Sequence, residues 1–344
     1  MASITIKDIA TALGVSRNTV SKVFNGKGGV LPDTSKRIIE AAINMGYTKI
    51  GADMQRSVGI VQKSPEEHKG YIAIVTSEPD NNFWMGIING VSRMLTNSGY
   101  GMLYVILNAE QINRGVLPSN LLHSSVDGII VANLYDPGML QTICRRPTPK
   151  VFYDMPVDTS IEDLRGDVVF TECRTYTRNL VRLLAAKGKR RFGFIGDTTT
   201  ALSINERWSG FKEGLQDCGL ELLPEFCFTA DRILHFYNDK TVTNLLNKME
   251  EHPDAFICAN DSIGLRVITY YISIGVSIPE AIAVTGFDGI PESMLVEPHL
   301  TTVRVDNEAV GRRLARQLLW RIENRDQPFE TVRVSAEILL RAST

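Results

Sequence analysis

Three side chains within six residues, Arg17, Asn18 and Lys22, carry groups that can read the edges of base pairs. A guanidinium can bridge the O6 and N7 acceptors of guanine, and a carboxamide can bridge N6 and N7 of adenine. Ser16, Thr19 and Ser21 lie beside them. Short hydroxyls of this kind donate to phosphate oxygens, which sets register without reading sequence. This chemistry needs the polar groups at the start of a helix entering a groove, with an apolar face that fastens the helix to a support. Val20, Val23 and Phe24 provide that face at helical spacing.

The support is legible on either side. Ile6, Ile9, Ala10 and Leu13 share a face of a first helix that Gly14 ends, and Ser16 is a good N-cap for the second. Asn25-Gly26 stops that helix; a third opens at Pro32-Asp33-Thr34, turns Ile38, Ile39, Ala42 and Ile43 inward and stops at Gly46. Three short helices, the first two joined by a tight glycine turn, predict a helix-turn-helix. The net charge of −2 over 344 residues points away from a polyanion, but its distribution does not. Residues 1–58 hold eight bases and four acids, a net of +4, which leaves −6 for the remainder. A basic head on an acidic body is the asymmetry expected when one segment meets DNA.

From Tyr71 the rhythm changes. Buried-type strands are predicted at 71–75, 102–107, 128–131, 150–153, 191–195, 255–258 and 281–284, with helices at 82–98, 110–122, 174–187, 206–217, 239–250, 261–274 and 307–324. Continuous apolar strands alternating with helices imply parallel sheets covered on both faces. Their extent suggests two doubly wound subdomains, which bind ligands beyond the carboxyl ends of their strands.

Other classes find little support. The five cysteines are odd in number, widely spaced and form no CxxC, which fits packing thiols in a reducing cytosol rather than disulfides or a metal site. No apolar run reaches the ~18 residues of a membrane helix, and the start MASITIKDIA lacks the apolar region of a secretory signal. A cytoplasmic location is therefore expected. GxSxG, HExxH and Walker patterns are absent. Gly26-Lys-Gly-Gly29 follows a helix rather than a strand, so it is no phosphate cradle. Neither enzymatic activity nor a cofactor or metal is expected.

Residues 5–26, TIKDIATALGVSRNTVSKVFNG, and 30–47, VLPDTSKRIIEAAINMGY, resemble the N-terminal motif of the lactose-repressor/galactose-repressor family of bacterial transcription regulators. The similarity continues at 78–84, 126–131, 206–211, 259–261, 284–291 and 300–303. It implies an all-α helix-turn-helix head and an α/β body like a periplasmic sugar-binding protein, with two lobes and a cleft. The implied divisions are a DNA-binding head with hinge at 1–58, a linker at 59–70, and an effector-binding and dimerisation body at 71–344. Carried over by position, Arg17, Asn18 and Lys22 read bases, and Ser16, Thr19, Ser21 and Asn25 hold the DNA backbone. The implied function is a homodimeric regulator, by family default a repressor, whose affinity for operator DNA is set by a small effector, a sugar or sugar derivative. A nucleoside or purine effector, or activation, is the alternative.

The cleft chemistry can be argued on the residues. Sugar hydroxyls both donate and accept, so carboxylates, carboxamides and guanidinium groups suit them, with aromatic rings for the apolar faces. Asp154 after the strand 150–153, Arg207 at a helix start, Asn260 and Asp288 lie at carboxyl ends of strands or just beyond, where the family contacts its effectors. Phe83 and Trp84 supply rings. Plainer roles exist for each: turns for Asp154 and Asp288, a surface position for Arg207, a structural position for Asn260. Asp261 reads as a helix N-cap. Three departures from the family stand out. Residues 48–58, TKIGADMQRSV, lack the hinge's Pro-Asn pair, leaving Met54 or Val58 as the minor-groove wedge. Phe170-Thr-Glu-Cys173 replaces the family's Asp-Asn pair, and only His235, Phe236 or Tyr237 stands near the usual stacking aromatic.

Overall fold

The structure, a computed structural model, describes residues 4–25, 29–45, 47, 69–77, 82–121, 126–229 and 239–344. The hinge with Met54 and Val58, the segment 59–68, the loop 78–81 and His235, Phe236 and Tyr237 lie outside the described residues, as do the side chains of Ile43 and Asn82. The chain divides into two units, Met1–Lys69 and Gly70–Thr344.

The first unit holds helices α1 (Ile6–Leu13), α2 (Arg17–Phe24) and α3 (Pro32–Asn44). Thr5 and Asp8 form a reciprocal capping box on α1, and Gly14 takes the left-handed conformation, φ 65°, that turns the chain towards α2. Ile9, Ala10, Val20, Val23, Ile38, Ile39 and Ala42 make the small core, with Ile6 and Leu13 only partly buried against it. Phe24 stacks on Tyr47 at 5.3 Å between ring centroids.

The second unit holds strands β1 (Tyr71–Ser77), β2 (Gly101–Leu107), β3 (Val126–Ala132), β4 (Lys150–Tyr153), β5 (Asp167–Thr171), β6 (Phe192–Ile195), β7 (Cys227–Phe228), β8 (Ala255–Cys258), β9 (Ala283–Thr285), β10 (Thr302–Arg304), β11 (Thr331–Val334) and β12 (Glu337–Leu339). Two parallel sheets result, ordered β11-β5-β4-β3-β1-β2 and β7-β6-β8-β9, with β10 and β12 paired antiparallel. Each sheet belongs to one lobe, and the chain passes between lobes near 172–173, 305–306 and 335–336. The helix Asn307–Glu323 therefore returns to the first lobe, where it lies against the helix Asn82–Asn97. Gly311 permits that approach, since a Cβ there would collide with the Ile87 carbonyl oxygen.

Several elements differ from the sequence reading. β5 escaped notice because its apolar run opens on a buried carboxylate. Asp167 accepts from Arg321 Nη2 (2.6 Å) and Nε (3.1 Å), from Gln317 Nε2 (2.7 Å) and from the Glu330 N–H (2.9 Å). β11, β12 and the helix Pro137–Cys144 are likewise absent from the sequence reading. The helix expected at 110–122 is Ala109–Arg114, because Gly115 takes φ 61° and ends it. The helix expected from 206 begins at Leu202, which moves Arg207 from the first turn to the second. All five cysteines are free, three of them buried. Among the described residues no group of side chains could hold a metal ion, and no helix is long and apolar enough to cross a membrane.

Candidate functional site

On α2, the inward turn of Val20 and Val23 leaves Arg17, Asn18 and Lys22 exposed. Ser16 is the N-cap: its Oγ accepts the Thr19 N–H at 3.0 Å and lies 2.8 Å from Thr19 Oγ1. One of those two hydroxyl protons is spent between them, so one remains to donate outward. Asn25 is the C-cap, and its Nδ2 donates to the Ser21 carbonyl (2.8 Å) and Ser21 Oγ (3.2 Å). Asn25 thus fastens the end of its own helix.

The six residues expected at the cleft, Phe83, Trp84, Asp154, Arg207, Asn260 and Asp288, all line one cavity of about 160 Å³ between the lobes. Phe83, Trp84 and Tyr153 form its aromatic wall on the first lobe, with centroid separations of 5.2 Å for Phe83–Trp84 and 5.9 Å for Trp84–Tyr153. Arg207, Asn260 and Asp288 face them from the second. Arg207 Nη1 donates to the Ala259 carbonyl, its Nη2 stands 3.4 Å from Asp288 Oδ1, and the guanidinium lies 3.7 Å above the Phe287 ring. Burial pushes the Asp288 carboxyl up to about 6, with Arg207 pulling the other way. Asn260 caps the helix Asp261–Ser273, its Oδ1 accepting the Ile263 N–H at 3.0 Å. Asp261 is therefore not the N-cap but the first helical residue, and its carboxyl is fully buried.

Asp154 is committed differently from the sequence reading. Oδ1 accepts the N–H groups of Met155 (2.8 Å) and Ser203 (3.1 Å), and Oδ2 accepts the hydroxyls of Tyr135 (3.0 Å) and Ser203 (2.6 Å). Two donors on each oxygen fill a carboxylate's acceptor capacity. Ser203 belongs to the second lobe, and the Leu202 N–H donates to the Met155 carbonyl beside it at 2.8 Å. Asp154 is thus a clasp between lobes that also lines the cavity. Burial raises its carboxyl above the ordinary range, and these four donors hold it down.

Backbone conformation marks the same place. Asn133 (φ 51°), Asp154 (φ 67°) and Asp288 (φ 111°) are non-glycine residues at positive φ, and all three line the cavity. Such strain gathers at binding sites, where the surroundings enforce it.

The family profile described as bacterial regulatory proteins, lacI family, matches residues 5–49, and that of the periplasmic binding protein-like domain matches 181–344. The chain belongs to the LacI family of bacterial regulatory proteins. As a LacI-family member it is a DNA-binding transcription regulator and not an enzyme. It is 27% identical over 341 residues to the HTH-type transcriptional repressor PurR of Glaesserella parasuis serovar 5 (strain SH0165), covering 95% of this chain and 93% of that one. It is 25% identical over 346 residues to the HTH-type transcriptional regulator KdgR of Bacillus subtilis (strain 168), covering 98% and 97%. Among solved structures, a transcriptional regulator CelR–cellobiose complex is similar with a TM-score of 0.71 at 25% identity, over 99% of this chain and 100% of that one. The lac repressor dimer bound to operator shares the fold, with a TM-score of 0.69 at 20% identity over 100% and 99%.

Sequence reasoning missed part of this LacI-family cleft. Tyr135, Asn133 and Ser203 all line the cavity, but none belongs to a recognisable motif. The positive φ of Asn133 and the clasp through Ser203 exist only once distant segments have met. Ser203 lies in the first turn of the helix Leu202–Asp217 that carries Arg207, ahead of the start at 206 that the sequence suggests.

Proposed function

We propose that this regulator represses transcription as a homodimer. It reads a pseudo-palindromic operator through Arg17, Asn18 and Lys22, while Ser16, Thr19, Ser21 and Asn25 lie along the DNA backbone. A sugar or sugar derivative held between the lobes controls its operator affinity. The observation that carries the effector class is the pairing of an aromatic wall with the Arg207–Asp288 couple across one small cavity. At 3.4 Å that couple is longer than the ~2.7–2.9 Å of a close charge-assisted hydrogen bond. A hydroxyl entering there accepts from the guanidinium and donates to the carboxylate, while Trp84 covers an apolar ring face. Phe83 is mostly buried and backs the wall. Asn260 adds a carboxamide edge, and Asp154 keeps the lobes together around the ligand.

Thermal shift with D-ribose, cellobiose, guanine and adenosine tests the effector class. A ligand that binds only the folded state at 100 times its Kd stabilises by about 2.7 kcal/mol. The expected result is a raised Tm with a saccharide. A second reading, a purine or nucleoside effector, is favoured by the three-ring cluster, on which a planar base can stack, and by the PurR relatives. Stabilisation by guanine or adenosine alone reverses the assignment. For the head, selection from random DNA is expected to return a two-fold symmetric site, and an asymmetric single half-site contradicts the dimer.

A further inference from the structure

The carboxyl of Asp261 lies behind the cavity wall, and neither DNA reading nor direct effector contact makes use of it. It is fully buried and meets the chain that follows β9 at several points. The Asp261 N–H donates to the Phe287 carbonyl at 2.8 Å, and Oδ2 accepts the Ile290 N–H at 2.8 Å. Oδ1 accepts the Thr302 hydroxyl, whose oxygen in turn accepts the Gly289 N–H at 3.3 Å. A Cβ on Gly286 would collide with Asp261 Oδ1, so the turn closes tightly over the carboxyl. Residues 287–290 are thereby held at both ends, by the Asp261 N–H at the Phe287 carbonyl and by the Asp261 carboxyl at the Ile290 N–H; the Phe287 ring lies beneath Arg207, and Asp288, at φ 111°, stands between the two holds.

We propose that Asp261 is a positioning residue for the effector cleft: it holds the Gly286–Ile290 turn so that Asp288 stays in its left-handed conformation, buried beside Arg207. This rests on the reading of the cleft as the effector site. A non-glycine residue at positive φ persists only where its surroundings over-determine it. The Asp288 N–H donates to the Val303 carbonyl at 2.8 Å and its carbonyl accepts the Val305 N–H at 3.1 Å, and the Asp261 carboxyl adds a second constraint on the turn through Ile290 and Thr302. Three ionisable groups act on it: Asp288 on the turn, Arg341 on the C-terminal segment and Cys258 on β8. Burial and the Asp288 charge push the Asp261 carboxyl up to about 8, against the donors from Thr302, Ile290 and Gly289. Between about pH 6 and about pH 8 Asp288 is ionised while Asp261 holds its proton, so the neighbouring carboxyls avoid carrying two like charges together.

The test is NMR titration of isotope-labelled aspartate carboxyls in the full chain, with Asp288 assigned through Asp288→Asn. In Asp261→Ala the Asp288 midpoint is expected to fall from about 6 towards 3.8 as the released turn lets it reach water. A residue that only stabilised its lobe would lower the urea midpoint and leave Asp288 near 6 in the protein that remains folded, and that outcome overturns the proposal. Should Asp261→Ala not fold, Thr302→Val removes one grip and keeps both carboxyls. It is expected to move the Asp288 midpoint the same way by less, and an unmoved midpoint there is equally decisive against the role. In parallel, calorimetry with D-ribose and cellobiose is expected to show at least tenfold weaker binding by Asp261→Ala of whichever sugar binds the wild type. If neither sugar binds the wild type, the effector class fails, while the carboxyl titration still decides the role of Asp261.

Discussion

The two polar surfaces of this regulator are built in opposite ways. Arg17, Asn18 and Lys22 stand exposed on a regular helix, within six residues of one another, and among the described residues their side chains take no part in holding the head together. The cleft groups Asp154, Arg207, Asn260 and Asp288 are buried, come from positions spread over more than 130 residues, and are tied into the protein by hydrogen bonds and strained backbone. The first surface can be altered without disturbing its support. In the second, binding and stability share the same atoms, so removing a group exposes the protein to the cost of an unpaired buried partner.

That contrast sets the order of the expected effects. Arg207→Ala should be the most damaging, because it leaves Asp288 buried without its cation; breaking a buried pair costs about 3–5 kcal/mol. Urea unfolding should show that loss, and calorimetry a loss of binding of whichever effector the wild type takes. A change under about 1 kcal/mol would mean that the pair is no more than a surface contact, and the contrast would fail on its cleft side.

Arg17→Ala and Asn18→Ala should each weaken operator binding by about 1–3 kcal/mol and relax the base preference at one position. Stability should move by less than about 0.5 kcal/mol, as for other exposed sites. Selection from random DNA and a urea titration read the two effects separately. An unchanged motif for Arg17→Ala removes that residue from base reading.

The pH dependence sharpens the cleft side. The Asp288 carboxyl titrates at about 6 in the folded protein against an ordinary 3.8, so between those values the folded state holds more protons than the unfolded state. Stability from this group is therefore greatest below about pH 4 and is lost as pH rises through 6. Asp288→Asn lacks that loss. The stability gap between the two proteins should shift in favour of the variant by about 2 kcal/mol from pH 4 to 6.5, as measured by paired urea titrations. A flat difference would place Asp288 in water rather than in the wall.

The smallest effect belongs to the head's general electrostatics. Lys36→Ala is expected to weaken all DNA sequences alike and to lower the salt slope by about one, if the ammonium neutralises a phosphate. An altered base preference would instead put Lys36 among the reading residues.

The amino-acid sequence by itself determined the head and the parallel-sheet character of the body. These follow from local rules. Gly14 and Ser16 mark a turn and a cap wherever they lie in the fold. An apolar run such as Phe256-Ile-Cys258 is a buried strand whatever its neighbours. What only the tertiary structure decided is how each cleft group is used. Asp154 reads along the chain as a free carboxylate at a strand end, but Tyr135 and Ser203, 19 and 49 residues away, take three of its four acceptor positions and the Met155 N–H takes the fourth. Asp261 reads as a cap, yet the arrival of Thr302 and Ile290 makes it a buried anchor while Asn260 does the capping. β5 is hidden because its first residue is charged, and Asp167 belongs inside only once Arg321 from the returning helix has met it. A hydrogen-bonding group shows its chemistry in sequence, but its partner is set by long-range packing, and burial makes that partner decisive.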